Sequence, residues 1–376
     1  MSAHLHIEVQ DNSWPLVLSV PLTDIWGLCH RPLKWLRFVS YAICGAEGDI
    51  SMTRGGSTVD YENTLADAFQ AGHYYYNTRG PRYFIDPEVA QDKHSSVYTP
   101  RRQNFRTRIA QRDGRQCLFS PVSWDYCEAA HIIPHSKGHN YIMALAAGRG
   151  TLYGVNGDAL GHGIDSIQNG LLMNNILHTA FGKNHCVILK TPNFALRTDD
   201  IPYLPDSDGV ASDARCTLQF FHKAQSFPDH NRDARPSGPE DHQPWSLFTD
   251  FTYGATVFQK WAAGEDIQAW FRDRAAEGIL ATAAAMAPPL LDNELGEENG
   301  PGEDDAATKL SQAMDTIFMI QCFMRGTTLE AELKKVEDAE ARAEQRGEAE
   351  SRAKAEAWVN AQRVFASTPS TSRCST

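Results

Sequence analysis

Cys127-Glu128-Ala129-Ala130-His131-Ile132-Ile133-Pro134-His135 is followed by Ile164-Asp165-Ser166-Ile167-Gln168-Asn169-Gly170-Leu171-Leu172-Met173, and then by Ile176-Leu177-His178-Thr179-Ala180-Phe181. These blocks decide the reading of the chain. Each couples a polar, chemistry-bearing residue to a short apolar run, and the apolar runs mark where the chain is buried. Six of the fourteen histidines, at 131, 135, 139, 162, 178 and 185, fall in this stretch. Such clustering points to proton transfer or metal binding, because imidazole does both near neutral pH. A fourth block, Arg112-Asp113-Gly114-Arg115-Gln116-Cys117, stands just upstream.

Thr99-Pro100 suits a helix N-cap followed by proline at the first helical position, and Gly114 is placed to end that helix. The helix carries Arg101, Arg102, Arg106, Arg108 and Arg112. Helical spacing sets Arg101, Arg108 and Arg112 beside the apolar pair Phe105 and Ile109, so these guanidinium groups flank the face that packs on the domain. With Arg115 they form the candidate phosphate-binding edge.

Further upstream, apolar, β-branched and aromatic runs at Leu5–Val9, Leu16–Val20, Phe38–Cys44, Tyr74–Tyr76 and Tyr83–Ile85 read as strand-like. Gly55-Gly56 reads as a hairpin turn, and short helices are expected near Pro21–Cys29 and Tyr61–Ala71. Downstream, Phe227–Trp245 is polar and rich in Pro, Asp, His and Arg, which predicts a long surface loop before a helix over Phe258–Arg274. Ala287–Ala307 is an acidic linker by composition. Leu310–Met324 could form an amphipathic helix, and Thr328–Phe365 a long charged one that could recruit a protein partner.

The expected fold class is therefore α+β, with these divisions: 1–98 an N-terminal α+β module rich in strands, 99–195 the histidine-bearing domain, 196–286 an accessory region, 287–307 the linker, and 308–376 a charged helix with a disordered tail. A chain of 376 residues that is 42% hydrophobic can bury a real core in more than one domain. A net charge of −12 excludes a protein that coats nucleic acid over its whole surface, so contact with phosphate has to be local. No run reaches a bilayer-spanning length and no secretory leader is visible, so the expectation is an intracellular protein, nuclear or cytoplasmic, without a membrane partner. The eight cysteines contain no CxxC pair, and they read as packed thiols rather than a structural zinc site.

Taken in order, the RDGxxC, AHIxP, NGLLL-like and LHxxF blocks resemble the HNH endonucleases, and the resemblance extends to a group of fungal proteins that place this module after a region like Pro32-Leu33-Lys34-Trp35-Leu36-Arg37. It covers roughly residues 16 to 195. It implies a ββα-metal (His-Me finger) module that hydrolyses phosphodiester bonds of DNA, of low sequence specificity, with a divalent metal ion, Mg²⁺ or Mn²⁺ before Zn²⁺ or Ni²⁺. In that family the first histidine is the general base, the asparagine ties down the connecting loop and the last histidine meets the metal. Carried over, these are His131, Asn169 and His178. Two positions depart from the pattern. Ala130 stands where many HNH enzymes have a metal ligand, and Gly182 where this branch commonly has Asp. The second ligand is then expected to be Asp165, with His135 next and His185 a further substitute. Glu128 ranks lower, because an offset of three along a strand turns it to the face opposite His131. The same departures motivate the alternative, a degenerate HNH fold that binds nucleic acid or protein without cutting.

Overall fold

Alternation along the first strand, Ser2–Ile7 (β1), is driven by Ala3, Leu5 and Ile7, which are fully buried. Leu16–Pro21 (β2) pairs antiparallel beside it, and Leu22–Leu28 (α1) follows at once. The computed structural model describes residues 1–9, 13–62, 69–90, 100–155, 160, 163–202, 213–221, 232–235 and 238–286, apart from the side chains of 100–103, 240 and 279–286. Met1–Glu298 and Asn299–Thr376 are separate units, and the described residues lie in the first. The linker at Ala287–Ala307 and the helices expected at Leu310–Met324 and Thr328–Phe365 lie outside the described residues.

Pro32–Cys44 is a helix (α2), which corrects the strand-like reading of Phe38–Cys44. Every residue of α2 except Arg37 is buried, and although Lys34, Arg37 and Ser40 recur at helical spacing over the whole segment, the apolar stretch Phe38–Cys44 taken alone misleads. The punctuation was the better guide. Proline stands in the first turn, and Gly45, at φ 65°, ends the helix in the left-handed conformation. Gly48–Ser51 (β3) and Gly72–Thr78 (β4) complete a sheet of order β2-β1-β4-β3, in which β1 and β4 are parallel and the outer pairs antiparallel. Gly55-Gly56 does form a turn, closed by Gly56 N–H to Thr53 O at 3.0 Å, with a single bridge from Ser51 to Thr58. Tyr83–Ile85 is not a strand; its amides donate to Cys44 and Ile43 carbonyls at the end of α2, at 2.9 and 2.8 Å for Tyr83 and Ile85. The helix expected near Tyr61–Ala71 falls mostly outside the described residues.

The remaining elements follow in order: Pro100–Arg112 (α3), Cys127–His131 (β5), Gly138–Arg149 (α4), Gly170–Asn174 (β6), Asn175–Gly182 (α5), Cys186–Thr191 (β7), Arg215–Phe220 (β8), Arg232–Asp233 (β9), Ser246–Trp261 (α6) and Glu265–Met286 (α7). β5 and β6 form a two-stranded antiparallel sheet, and β7-β8-β9 a third sheet. The helix expected over Phe258–Arg274 is thus two helices. Between them the chain is extended: Leu18 bridges Ala262, and Ala263 N–H donates to Val17 O at 3.1 Å. Glu265 and Asp266 in the first turn of α7 favour a fresh start there by complementing the positive end of its dipole. The expected loop at Phe227–Trp245 carries β9 and a short turn of 3-10 helix at Glu240–His242.

Arg31 and the Pro32–Arg37 segment serve as a frame. The buried Lys34 ammonium meets Glu62 at 2.7 Å and Asp200 at 3.6 Å, and Arg31 meets Asp200 at 3.0 Å. Trp35 Nε1 donates to Tyr253 OH at 2.8 Å, and Tyr253 donates on to Gln219 Oε1 at 2.7 Å. α2, α6 and β8 are thereby locked into one core. Arg149, with no exposed surface, donates to Ala42 O at 2.7 Å and Ile43 O at 3.1 Å, covering carbonyls that the end of α2 leaves without helical partners. Asp86 accepts from Lys137 Nζ at 2.8 Å and Tyr141 OH at 3.0 Å, which anchors the chain just after His135.

Candidate active site on the Cys127–Gly182 hairpin and helix

β5, β6 and α5 succeed one another in space as a hairpin with a helix packed on it. Their register pairs His131 with Gly170 and Glu128 with Met173. Asn174 starts the helix by accepting Leu177 N–H at 2.9 Å, an N-cap that fixes where α5 leaves the strand. His178 therefore sits on the first turns of a helix held rigidly to β6.

Behind the hairpin lies α3. Arg112 forms a two-pronged ion pair with Asp113, at 2.6 and 2.8 Å, and donates to Ile167 O at 2.7 Å and Gly170 O at 2.9 Å. Asp113 in turn accepts Leu172 N–H at 3.0 Å. The two residues clamp β6 to the end of α3, and the chain then turns away at Gly114. Arg112 is 5% exposed, so its guanidinium belongs to the core and not to the phosphate edge on which the sequence reading put it. A side chain on Gly170 would strike Ile109 and Phe105, with a Cβ only 2.4 and 2.6 Å from their nearest atoms. The glycine of the Asn-Gly pair is thus demanded by the close approach of α3 rather than by a turn.

Asn169 has no exposed surface. Its Oδ1 accepts Ile133 N–H at 2.7 Å, and its Nδ2 donates to Ile133 O at 3.0 Å and Ile164 O at 2.9 Å. It thereby binds the segment leaving His131 to the segment preceding β6. Leaving these backbone groups buried without partners would cost about 1–3 kcal/mol each, which is why a residue with both donor and acceptor ends stands here.

His131 ends β5 with its ring stacked on Phe105, at 4.0 Å between centroids and 9° between planes. Its Nε2 lies 3.2 Å from Asp165 Oδ1, and His135 Nε2 lies 3.8 Å from the same oxygen. Asp165 and His135, the expected metal ligands, are therefore gathered around His131. His178 meets a different carboxylate: its Nδ1 lies 2.8 Å from Glu128 Oε2. Glu128 does face away from His131, as its offset requires, but that is the face on which α5 brings His178. The signal was available, because Glu128 shares its side of the strand with Ala130, the position that many HNH enzymes use for the metal.

Of the candidate phosphate ligands, Arg115 is exposed with its guanidinium 5.8 Å from the Trp124 ring, and Arg108 is half-buried with Nη1 3.4 Å from Asp165 O. The side chain of Arg101 lies outside the described residues, as does His162. His139 lies against Gly163, and His185 stands immediately before β7, its amide donating to Ala180 O at 2.9 Å. Burial, reinforced by neighbouring Cys117, pushes the Cys127 thiol up to about 12, so it stays protonated and donates to Ser123 O at 3.2 Å. Among the described residues no group of three or more His, Cys, Asp or Glu side chains converges as a metal cage. Among them, too, no helix is long and apolar enough to cross a membrane.

A family model described as HNH endonuclease matches residues 117–189. No curated protein and no solved structure matches the chain. The matched stretch holds His131, Asp165, Asn169 and His178 together with the whole of β5, β6 and α5. Over residues 117–189 the chain is thus similar to the HNH endonucleases, which supports the family reading of this segment.

Proposed function

We propose that the chain is a metal-dependent DNA endonuclease, and that β5, β6 and α5 are its ββα-metal module. The observation that carries this reading is the arrangement of the motif residues: His131 held by Asp165, Asn169 fastening the loop behind it, and His178 presented from the following helix beside Glu128. A carboxylate can only accept, so Asp165 selects the tautomer of His131 with hydrogen on Nε2 and the lone pair on Nδ1. That lone pair takes a proton from the water that attacks phosphorus. Phe105 restrains the ring, so the base does not have to be oriented during the reaction.

His178 would hold a hydrated divalent ion such as Mg²⁺ or Mn²⁺, which keeps several waters and uses few protein contacts. Such an ion would supply charge stabilisation to the phosphoryl oxygens and the leaving 3′ oxygen. Arg115, Arg108 and Arg101 would meet neighbouring phosphates without reading bases, which implies low sequence specificity. The test is nicking of supercoiled plasmid with Mg²⁺ or Mn²⁺. Wild type should nick, and His131→Ala should lose about 10²- to 10⁴-fold in rate.

A second reading, a degenerate fold that binds without cutting, is favoured by the buried methyl of Ala130 at the usual ligand position. A folded wild type that leaves plasmid intact with either ion would select it.

A further inference from the structure

Two carboxylates stand beside the two motif histidines, and their surroundings differ. Asp165 shares its Oδ1 between His131 and His135, and both Asp165 and His131 side chains are 10% exposed. Glu128 reaches His178 from another strand, with its own side chain 51% exposed and that of His178 only 9%. We propose that Glu128 is the positioning residue for His178: it accepts the Nδ1 hydrogen and so leaves the Nε2 lone pair as the nitrogen that meets a divalent ion. The proposal rests on the nuclease reading and gives a role to a carboxylate that the sequence reading ranked below the other candidate ligands.

Three features of the chain carry this assignment. The contact joins the two halves of the hairpin: β6 runs directly into α5, whose start is fixed by Asn174, whereas Glu128 is on β5. The Glu128–His178 bond therefore ties the imidazole on α5 back to β5 and restrains its rotation. Next, the strand alternation puts Glu128 on the same side as Ala130, where the missing ligand would have stood, so the carboxylate compensates from one pleat away. Finally, a histidine that ligates a metal usually donates its other ring hydrogen to a carboxylate, which fixes the tautomer and raises the basicity of the ligating nitrogen. Asp165 plays the matching part for a different nitrogen and a different task.

A surface ion pair at 2.8 Å would have the same geometry and no bearing on metal, so the test has to read metal affinity. Mn²⁺ binding to the full chain is measured by titration calorimetry for wild type, Glu128→Ala, Glu128→Gln and His178→Ala. Glu128→Ala should weaken binding by roughly 10- to 100-fold. Glu128→Gln should restore most of the loss, because its amide oxygen accepts the same hydrogen. Unchanged affinity in Glu128→Ala overturns the proposal alone. Glu128→Gln as weak as Glu128→Ala also overturns it, since the charge and not the orientation would then matter and Glu128 would itself be a ligand. A wild type that binds no Mn²⁺, or a His178→Ala variant that binds normally, removes the nuclease reading as well.

Discussion

The wall behind the β5–β6 hairpin and its open edge are built from the same side-chain types put to opposite uses. Behind the hairpin, Arg112, Asp113 and Asn169 are buried, and their polar atoms go to backbone groups of β6 and of the segment after His131. At the edge, Glu128 and Arg115 are exposed, with the Glu128 carboxylate on His178 and the Arg115 guanidinium beside Trp124. Residue type alone does not separate the groups, since each contains an arginine and a carboxylate. What separates them is whether the protein satisfies the group internally. A buried group so satisfied shapes the site, and an exposed one is left to meet a ligand.

The largest difference is expected from the two arginines. Arg112→Ala strips a buried ion pair of one partner and should cost about 3–5 kcal/mol in denaturant unfolding. An Arg112→Ala protein that unfolds like wild type would move this residue to the edge group. Arg115→Ala should stay within about 0.5 kcal/mol of wild type in the same measurement.

The interior also predicts a pH effect distinct from the chemistry of the site. Burial pushes the Asp250 carboxyl up to about 7, against the pull of Tyr153, Lys190 and Arg149. In the unfolded chain the group ionises near its usual value of about 3.9. Between those values the folded protein holds one more proton than the unfolded one, so stability falls as pH rises, by about 4 kcal/mol over the interval. Stability measured from pH 4 to 8 should show this decline, and Asp250→Asn should flatten it. A variant with the wild-type slope would show that Asp250 ionises normally in the fold.

The smallest expected effect belongs to the edge. If Arg115 meets a phosphate, Arg115→Ala should reduce the slope of log affinity for duplex DNA against log salt by about 1. An unchanged slope would make it a solvated side chain that merely leans on Trp124.

The parts of this division that were legible in the sequence are those with local causes. Pro100 and Gly114 marked the ends of α3, and the parity of β5 correctly set Glu128 and His131 on opposite faces. The role of Glu128 was missed because parity within one strand does not say which face the next helix will cover. Arg112 was misplaced for a similar reason. Helical spacing put it beside Phe105 and Ile109, but the carbonyls of Ile167 and Gly170 that draw its guanidinium inward come from a segment more than fifty residues away. α2 was misread because the helical recurrence of Lys34, Arg37 and Ser40 shows only over the whole of Pro32–Cys44, not within the apolar run Phe38–Cys44. For the asparagine of the Asn-Gly pair, only the family resemblance suggested a residue that fastens the loop; nothing in its neighbours foretold bonds to both Ile133 and Ile164.

The division of labour between the two histidines is tested most directly by measuring Mn²⁺ binding and plasmid nicking on the same preparations of wild type, His131→Ala and His178→Ala. His131→Ala should bind the ion like wild type and fail to nick, and His178→Ala should lose both. Nicking by His131→Ala at the wild-type rate, with its ion affinity intact, would contradict the assignment of His131 as the base.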